Sequence, residues 1–152
     1  HGIEEDFVHL QKLCRRNNLL FYVALIDVDM FKGINDTFGP SVGDIVLCHL
    51  VNTLKKNIRP DEPLYRYGGD EFLLLMQVKC REAAAAAAER LINVIRSTPV
   101  VVMQNKSLPL SISMGMTLVR NGEALNEAID RADQELLKVK RTGRDSFIIG
   151  SD

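Results

Sequence analysis

No cysteine pattern runs through this sequence. Cys14, Cys48 and Cys80 are widely spaced and odd in number, with no CxxC pair. That argues against a disulfide framework or a zinc site and fits a reducing, cytoplasmic compartment. His1, His9 and His49 form no ligand pattern either. Charge of one sign is also lacking: 19 basic against 20 acidic side chains leave a net charge of -1. No global field draws the chain to a nucleic acid polymer or an anionic membrane, so any phosphate site must be local. There is no signal peptide and no run of about eighteen apolar residues. Repeats are absent, and the one low-complexity stretch is six alanines, Ala83 to Ala88. The chain opens on His1 without a Met. The expectation is one domain, residues 1–152, excised from a signalling protein, membrane-anchored or not, whose N-terminal sensory or regulatory domain lies elsewhere.

What is present suffices for one hydrophobic core: 152 residues, 46% apolar and 26% charged. Residues 5–17 carry Phe7, Val8, Leu10 and Leu13 at helical spacing. Residues 19–30 are apolar on both faces and read as a central strand covered on both sides. Asn35 and Asp36 precede a long helical stripe of Val42, Ile45, Val46, Leu50 and Leu54, stopped at Arg59-Pro60. Residues 64–67 and 72–78 read as strands joined by a two-residue turn at Gly68-Gly69. Residues 81–97 read as a helix whose alanines report propensity and close packing. Residues 100–103 and 110–119 read as a further hairpin, residues 125–141 as an amphipathic helix closed by Gly143, and residues 147–149 as a short last strand. Helices and hairpins alternate without regular βαβ units. The fold class is therefore α+β, with a mixed, largely antiparallel central sheet flanked by helices.

Five segments carry candidate chemistry. Asp27 and Asp29 end the apolar strand on one face, where a carboxylate is costly unless paired or metal-bound. An isolated DxD is more often only a strand reaching the surface. Gly68-Gly69-Asp70-Glu71 alone reads as a turn with acidic residues on its rim. As successive strand residues, Asp70 and Glu71 would point to opposite faces. Hard oxygen ligands of this kind suit Mg²⁺, and two such ions suit in-line displacement at phosphorus. Lys32, in Phe31-Lys32-Gly33, stands where free backbone N–H groups would cradle phosphate, although a lone Lys there is usually a solvated one. Asp44 is an ordinary exposed acid or an acceptor for the two N–H groups of guanine's pairing edge. Lys140 and Arg144 form a basic cluster at a helix C-terminus, where the helix dipole favours one anyway.

Taken together and in order, these segments are specific. Leu25-Ile26-Asp27-Val28-Asp29-Met30-Phe31-Lys32-Gly33-Ile34-Asn35-Asp36, Gly39, Gly43-Asp44, Arg66-Tyr67-Gly68-Gly69-Asp70-Glu71-Phe72, Ser111-Ile112-Ser113-Met114-Gly115, Ala132-Asp133 and Lys140-Arg141-Thr142-Gly143-Arg144 resemble the GGDEF family of diguanylate cyclases. The resemblance runs from about Phe21 to Arg144. It implies a palm-like fold of the nucleotidyl cyclase and polymerase kind. It also implies a homodimer in which two domains face each other, each holding one GTP. The 3′-hydroxyl of each attacks the α-phosphate of the other, giving cyclic di-GMP and pyrophosphate.

By motif position, the resemblance implies that Asp27, Glu71, Asp70 and the Val28 carbonyl hold Mg²⁺, with Mn²⁺ as an alternative ion. Asp70 is a metal ligand or the base for the 3′-hydroxyl. Lys32, the backbone of Met30 and Phe31, Gly68, Gly69, Lys140 and Arg144 surround the triphosphate. Asn35 and Asp44 read guanine. The catalytic set is then Asp70, Glu71 and Lys32. Four positions depart from the family pattern. Pro40 stands for a usual His, Leu137 for a common Tyr, and His1-Gly2-Ile3-Glu4 is at best a remnant of the N-terminal signature. Arg59-Pro60-Asp61-Glu62 stands where many members carry an RxxD product-inhibition site; this RxxE implies weakened or absent inhibition. The alternative function is an inactive domain serving as GTP sensor or cyclic di-GMP receptor. Such domains usually lose the acids this chain keeps. A mixed-purine synthase is disfavoured by Asp44, and a purely structural dimerisation role by the intact motif.

Overall fold

The nine residues of β1, Leu20–Val28, are almost uniformly apolar because both faces of the strand are covered. In the computed structural model, which describes residues 2–151, β1 is the middle strand of a five-stranded sheet. His1, the first residue of the remnant signature, and Asp152 lie outside the described residues. The other strands are β2 (Leu64–Arg66), β3 (Glu71–Val78), β6 (Ile112–Leu118) and β7 (Phe147–Ile149), in the order β2-β3-β1-β6-β7. Only the β6–β7 pair is parallel, so the sheet is mixed and mostly antiparallel.

Alternation along β1 sorts the helices into two layers. Tyr22, Ala24, Ile26 and Val28 pack with α3 (Pro40–Lys56) and α4 (Arg81–Arg96). Phe21, Val23 and Leu25 pack with α1 (Ile3–Arg16) and α5 (Leu125–Arg141). Asp27 continues the odd-numbered face, so it opens toward α5 on a strand whose every other residue from Phe21 onward is buried and apolar. The alanines of α4 turn Ala84 and Ala88 fully inward, where small side chains let the helix lie close to the sheet. On the opposite face, Gly115 of β6 performs the same service for α5. A Cβ there would stand 2.2 Å from the Ala132 carbonyl oxygen and 2.3 Å from the Leu136 nitrogen.

Several local expectations are corrected. The predicted long helix is two: α2 (Phe31–Phe38) already contains Asn35 and Asp36, and the chain breaks before α3 at Gly39, whose φ of 91° suits glycine. Pro40 then occupies the first turn of α3, where its missing N–H is no loss. The Gly68-Gly69 connection is wider than two residues. Arg66 pairs with Phe72, and the N–H groups of Tyr67 and Gly68 both donate to the Glu71 carbonyl. Neither glycine adopts the positive φ that a two-residue hairpin turn needs. Asp70 therefore belongs to the turn, not the strand. The expected hairpin between residues 100–103 and 110–119 does not form. β4 (Val100–Val101) pairs instead with the nearer β5 (Ser107–Leu108), across a 3₁₀ turn at Met103–Asn105, which leaves β6 free to pair with β1. Val8 and Ile45, counted in helical stripes, face outward, as does Leu137, where a Tyr would meet solvent.

Among the described residues, no helix is long and apolar enough to cross a membrane.

Candidate active site

Antiparallel pairing puts Glu71 directly opposite Asp27, on the same face of the sheet. The turn brings Asp70 beside them, its carbonyl accepting the Val28 N–H at 3.2 Å. The Arg66 guanidinium shapes that turn by donating to the carbonyls of Gly68 (3.3 Å) and Gly69 (2.8 Å). Glu71 folds back over Gly68, where a Cβ would lie 3.2 Å from its Oε1. From the helix layer on that face, α5 delivers Lys140, whose ammonium pairs with Asp27 Oδ2. Two turns earlier on the same helix stripe, Asp133 is near enough for its charge to act on Glu71.

The electrostatics follow from this crowding. Burial is the main cause that pushes the Asp27 carboxyl above its ordinary range. The charge of Asp70 adds to it, and Lys140 opposes it. Burial likewise leads in raising Glu71, with Asp27, Asp133 and Asp70 pushing the same way against Lys140. Burial works against the Lys140 charge. The hydrogen bond to Asp27 and the charges of Asp27, Glu71 and Asp70 nevertheless hold its pKa above the usual lysine value. This is a site with an excess of negative charge, built to receive a cation.

Among the described residues, no three His, Cys, Asp or Glu side chains are already drawn together as a finished metal cage. The donor set still fits a hard divalent ion. Asp27 Oδ1 is buried without a hydrogen-bond partner, and its other oxygen already holds a cation, the Lys140 ammonium. Cross-strand partners have Cβ atoms only about 5 Å apart, so rotamer changes alone can bring Asp27 and Glu71 onto one ion.

The segment expected to cradle phosphate lies at the end of β1. Met30 adopts a left-handed conformation (φ 59°, ψ 28°) that turns the chain straight into α2. The first amide bonded inside that helix is Ile34, to the Met30 carbonyl at 3.1 Å. The N–H groups of Phe31, Lys32 and Gly33 are thus left for a ligand, at the positive end of the helix dipole. The Lys32 side chain is exposed beside them, and the half-buried Arg144 follows α5 in a left-handed conformation (φ 63°).

Asn35 and Asp44, the pair expected to read the base, are set apart on α2 and α3. Asn35 packs so tightly onto α3 that a Cβ on Gly43 would lie 1.9 Å from its Oδ1. That oxygen is buried without a partner, while the neighbouring Asp44 is exposed. On the expectation from the resemblance that Asn35 reads guanine, Gly43→Ala, which would displace the Asn35 amide, should raise KM for GTP about tenfold with kcat changed less than about threefold. Steady-state kinetics beside a melting curve check this; alanine suits a helix, so stability should hold.

Asp29 faces the same way as Asp27 but is fully engaged by Ser111 Oγ (2.6 Å), Ser113 Oγ (2.6 Å) and the Asp145 N–H (3.0 Å). It is not free for a metal. Arg59 and Glu62 form a closed turn at the far end of β3. The buried Glu62 carboxylate accepts the Arg59 N–H at 2.8 Å, and the Arg59 guanidinium donates to the Gln77 carbonyl. The sequence reading gave no role to Arg66, Asp133, Ser111, Ser113 or Asp145. The first four lie inside the quoted motif, a signal that was there to use; Asp145, just beyond it, had none.

The family profile described as "Diguanylate cyclase, GGDEF domain" matches residues 2–146. Diguanylate cyclase DgcP of Pseudomonas aeruginosa is 40% identical over 125 residues, covering 81% of this chain and 18% of that protein. Diguanylate cyclase DgcZ of Escherichia coli is 32% identical over 142 residues, covering 93% of this chain and 47% of that protein. Both relatives are thus considerably longer than this chain. Among solved structures, diguanylate cyclase SiaD of P. aeruginosa, crystallised with its activator SiaC, superposes with a TM-score of 0.88 at 32% identity, over 97% of this chain and 56% of that one. The active GGEEF domain of a diguanylate cyclase from Vibrio cholerae superposes at 0.82 with 29% identity, over 98% and 92%. With the profile spanning nearly every residue, the chain belongs to the GGDEF-domain diguanylate cyclase family.

Proposed function

We propose that this domain condenses two GTP molecules into cyclic di-GMP, releasing pyrophosphate, within a homodimer that brings two loaded sites face to face. The observation that carries this reading is the buried Asp27, paired with the Lys140 ammonium, with the half-buried Glu71 opposite it and Asp70 near enough that Asp27 and Glu71 are both raised. The intact acids favour the enzyme over the sensor or receptor alternative.

Asp27, Glu71, Asp70 and the Val28 carbonyl would hold Mg²⁺, or Mn²⁺ in its place, in a two-ion arrangement. Bound there, the ions would neutralise phosphate charge and polarise the bond to phosphorus. The residues of the chain do the rest. The free amides at the start of α2, with Lys32 and Arg144, bind and orient the triphosphate. Lys140, paired with Asp27 in this structure, would be available to bind phosphate once Asp27 served as a metal ligand. Gly68 and Gly69 leave room for substrate beside Asp70. Asp70, on the turn between the strands, accepts the 3′-hydroxyl proton or completes the ion's ligands. Positioning and charge stabilisation supply most of the acceleration. The direct test is GTP binding with and without Mg²⁺. Affinity is expected to fall at least about tenfold without the ion; equal affinity would contradict a metal-bridged triphosphate.

Asp44 selects the base in this reading, its carboxylate accepting from guanine's two N–H groups where adenine offers no such pair. Asp44→Ser is expected to cut the preference for GTP over ATP at least about tenfold, measured as the ratio of kcat/KM values. An unchanged ratio would refute the role.

Product inhibition is expected to be weak or absent. Glu62 spends its carboxylate on its own turn, and Arg59 is bound to the Gln77 carbonyl with Asp61 3.7 Å from its Nε. Calorimetric titration with cyclic di-GMP should show no saturable binding below about 100 μM. Tight binding that Arg59→Ala removes would overturn this.

A further inference from the structure

Asp29 is 6% exposed and accepts three hydrogen bonds from three separate points of the chain. Two come from hydroxyls on or beside β6. The third comes from the backbone of Asp145, in the loop that follows α5. That loop is conformationally unusual: Gly143 (φ 120°), Arg144 (φ 63°) and Asp145 (φ 52°) are consecutive left-handed residues, and two of them carry side chains. Non-glycine residues hold such a conformation only when their surroundings over-determine it. Here the surroundings are explicit. The Arg144 N–H donates to the Val139 carbonyl at 3.0 Å. On the solvent side, Arg96 of α4 grips the Asp145 carboxylate (Nε to Oδ2, 3.0 Å) and its carbonyl (3.3 Å). On the inner side, Asp29 takes the Asp145 N–H. Arg144 is the residue immediately before this doubly held one. Met30, which starts the amide cradle of α2, is the residue immediately after Asp29.

We propose that Asp29 is a positioning residue: through Asp145, which Arg96 clamps from outside, it fixes Arg144 relative to the α2 amides. The inference rests on the reading of this site as a GTP site. A carboxylate suits the task because both of its oxygens accept, Oδ2 from Ser111 and the Asp145 N–H and Oδ1 from Ser113. Asn can imitate it in part. With its oxygen toward Ser111 and the Asp145 N–H, its NH₂ faces Ser113, whose hydroxyl can rotate to accept.

The test is GTP affinity with Mg²⁺, by calorimetric titration of the whole domain, for Asp29→Ala, Asp29→Asn and Arg96→Ala. Each is made with Arg144 present and in an Arg144→Ala background. Asp29→Ala is expected to weaken GTP binding about tenfold when Arg144 is present and to change it less than about twofold when Arg144 is gone. Asp29→Asn should stay within about threefold of the parent. If Asp29→Ala does not fold, Arg96→Ala carries the test, with about a threefold loss that likewise vanishes in the Arg144→Ala background. An equal loss in both backgrounds means an ordinary packing role and overturns the proposal, as does no loss in either. A parent domain that binds GTP but makes no cyclic di-GMP would sink the cyclase reading and leave this comparison readable. A parent that binds no GTP would overturn both.

Discussion

Glu71→Gln is expected to reduce cyclic di-GMP formation by at least about 100-fold and, in the metal-free domain at neutral pH, to raise the melting temperature by about 2 °C. The two effects share one cause. Burial, first of all, and then Asp27, Asp133 and Asp70 disfavour the charged form of Glu71. Its folded-state pKa lies above the unfolded value. Its stabilising contribution is therefore fully present below the ordinary glutamate range and is lost as pH rises through the raised value. Above that point the wild type carries a penalty that a neutral amide does not. Asp27 bears the same sign. Glu123 has the opposite one: burial opposes its charge, but hydrogen bonds from Arg131 and the Arg120 N–H hold its pKa low, so it loses stability as pH falls. Comparing melting temperatures of wild type and Glu71→Gln from mild acid to neutral pH isolates Glu71. The gap should open as pH rises and close when Mg²⁺ and GTP are added, because only the wild type gains fully from them. A variant less stable than wild type at neutral pH would contradict the account.

Gly115→Ala is expected to destabilise the domain by about 3 kcal/mol, lowering the melting temperature by roughly 9 °C, and to abolish turnover in whatever fraction remains folded. The added Cβ would meet the Ala132 carbonyl at 2.2 Å, the Leu136 nitrogen at 2.3 Å and the Leu136 Cα at 2.8 Å. All three atoms are backbone of α5, so no side-chain rotation relieves the clash and the helix itself must move. That helix carries Lys140 against Asp27 and Asp133 toward Glu71, and the loop after it carries Arg144. Thermal denaturation, with GTP binding measured below the transition, checks both effects. A fully stable variant would mean that α5 sits further from the sheet than described.

The parts of this molecule legible in its sequence are those written in local pattern. β1 reads as a doubly covered strand because its even residues meet α3 and α4 while its odd ones meet α1 and α5. The odd residues Asp27 and Glu71 then had to share the α5 face once β1 and β3 paired, and the acidic motif pointed there. What escaped the pattern was decided by single backbone positions or by distant partners. The helix break at Gly39 hides inside a stripe that continues on either side of it. The Tyr67–Asp70 turn looked like a two-residue one because two glycines suit that geometry, but the Glu71 carbonyl takes both the Tyr67 and Gly68 N–H groups and widens it. β4 found a partner only a few residues away, where loop closure is cheap. Asp29 showed in sequence only that a carboxylate ending an apolar strand needs a partner; nothing near it shows that its partners lie 82 to 116 residues further on. Gly43 looked like an ordinary helix residue until Asn35 was seen filling the space of its missing side chain.

The measurement that reaches the central claim most directly is product analysis by mass after incubating the concentrated domain with GTP and Mg²⁺, beside an Asp27→Asn control. A second sample is dimerised by a fused coiled coil, so that weak association cannot mask activity. The account predicts cyclic di-GMP from the wild type, more from the dimerised form, and none from the control. GTP bound but left unconverted by the dimerised wild type would contradict it and make this a nucleotide sensor.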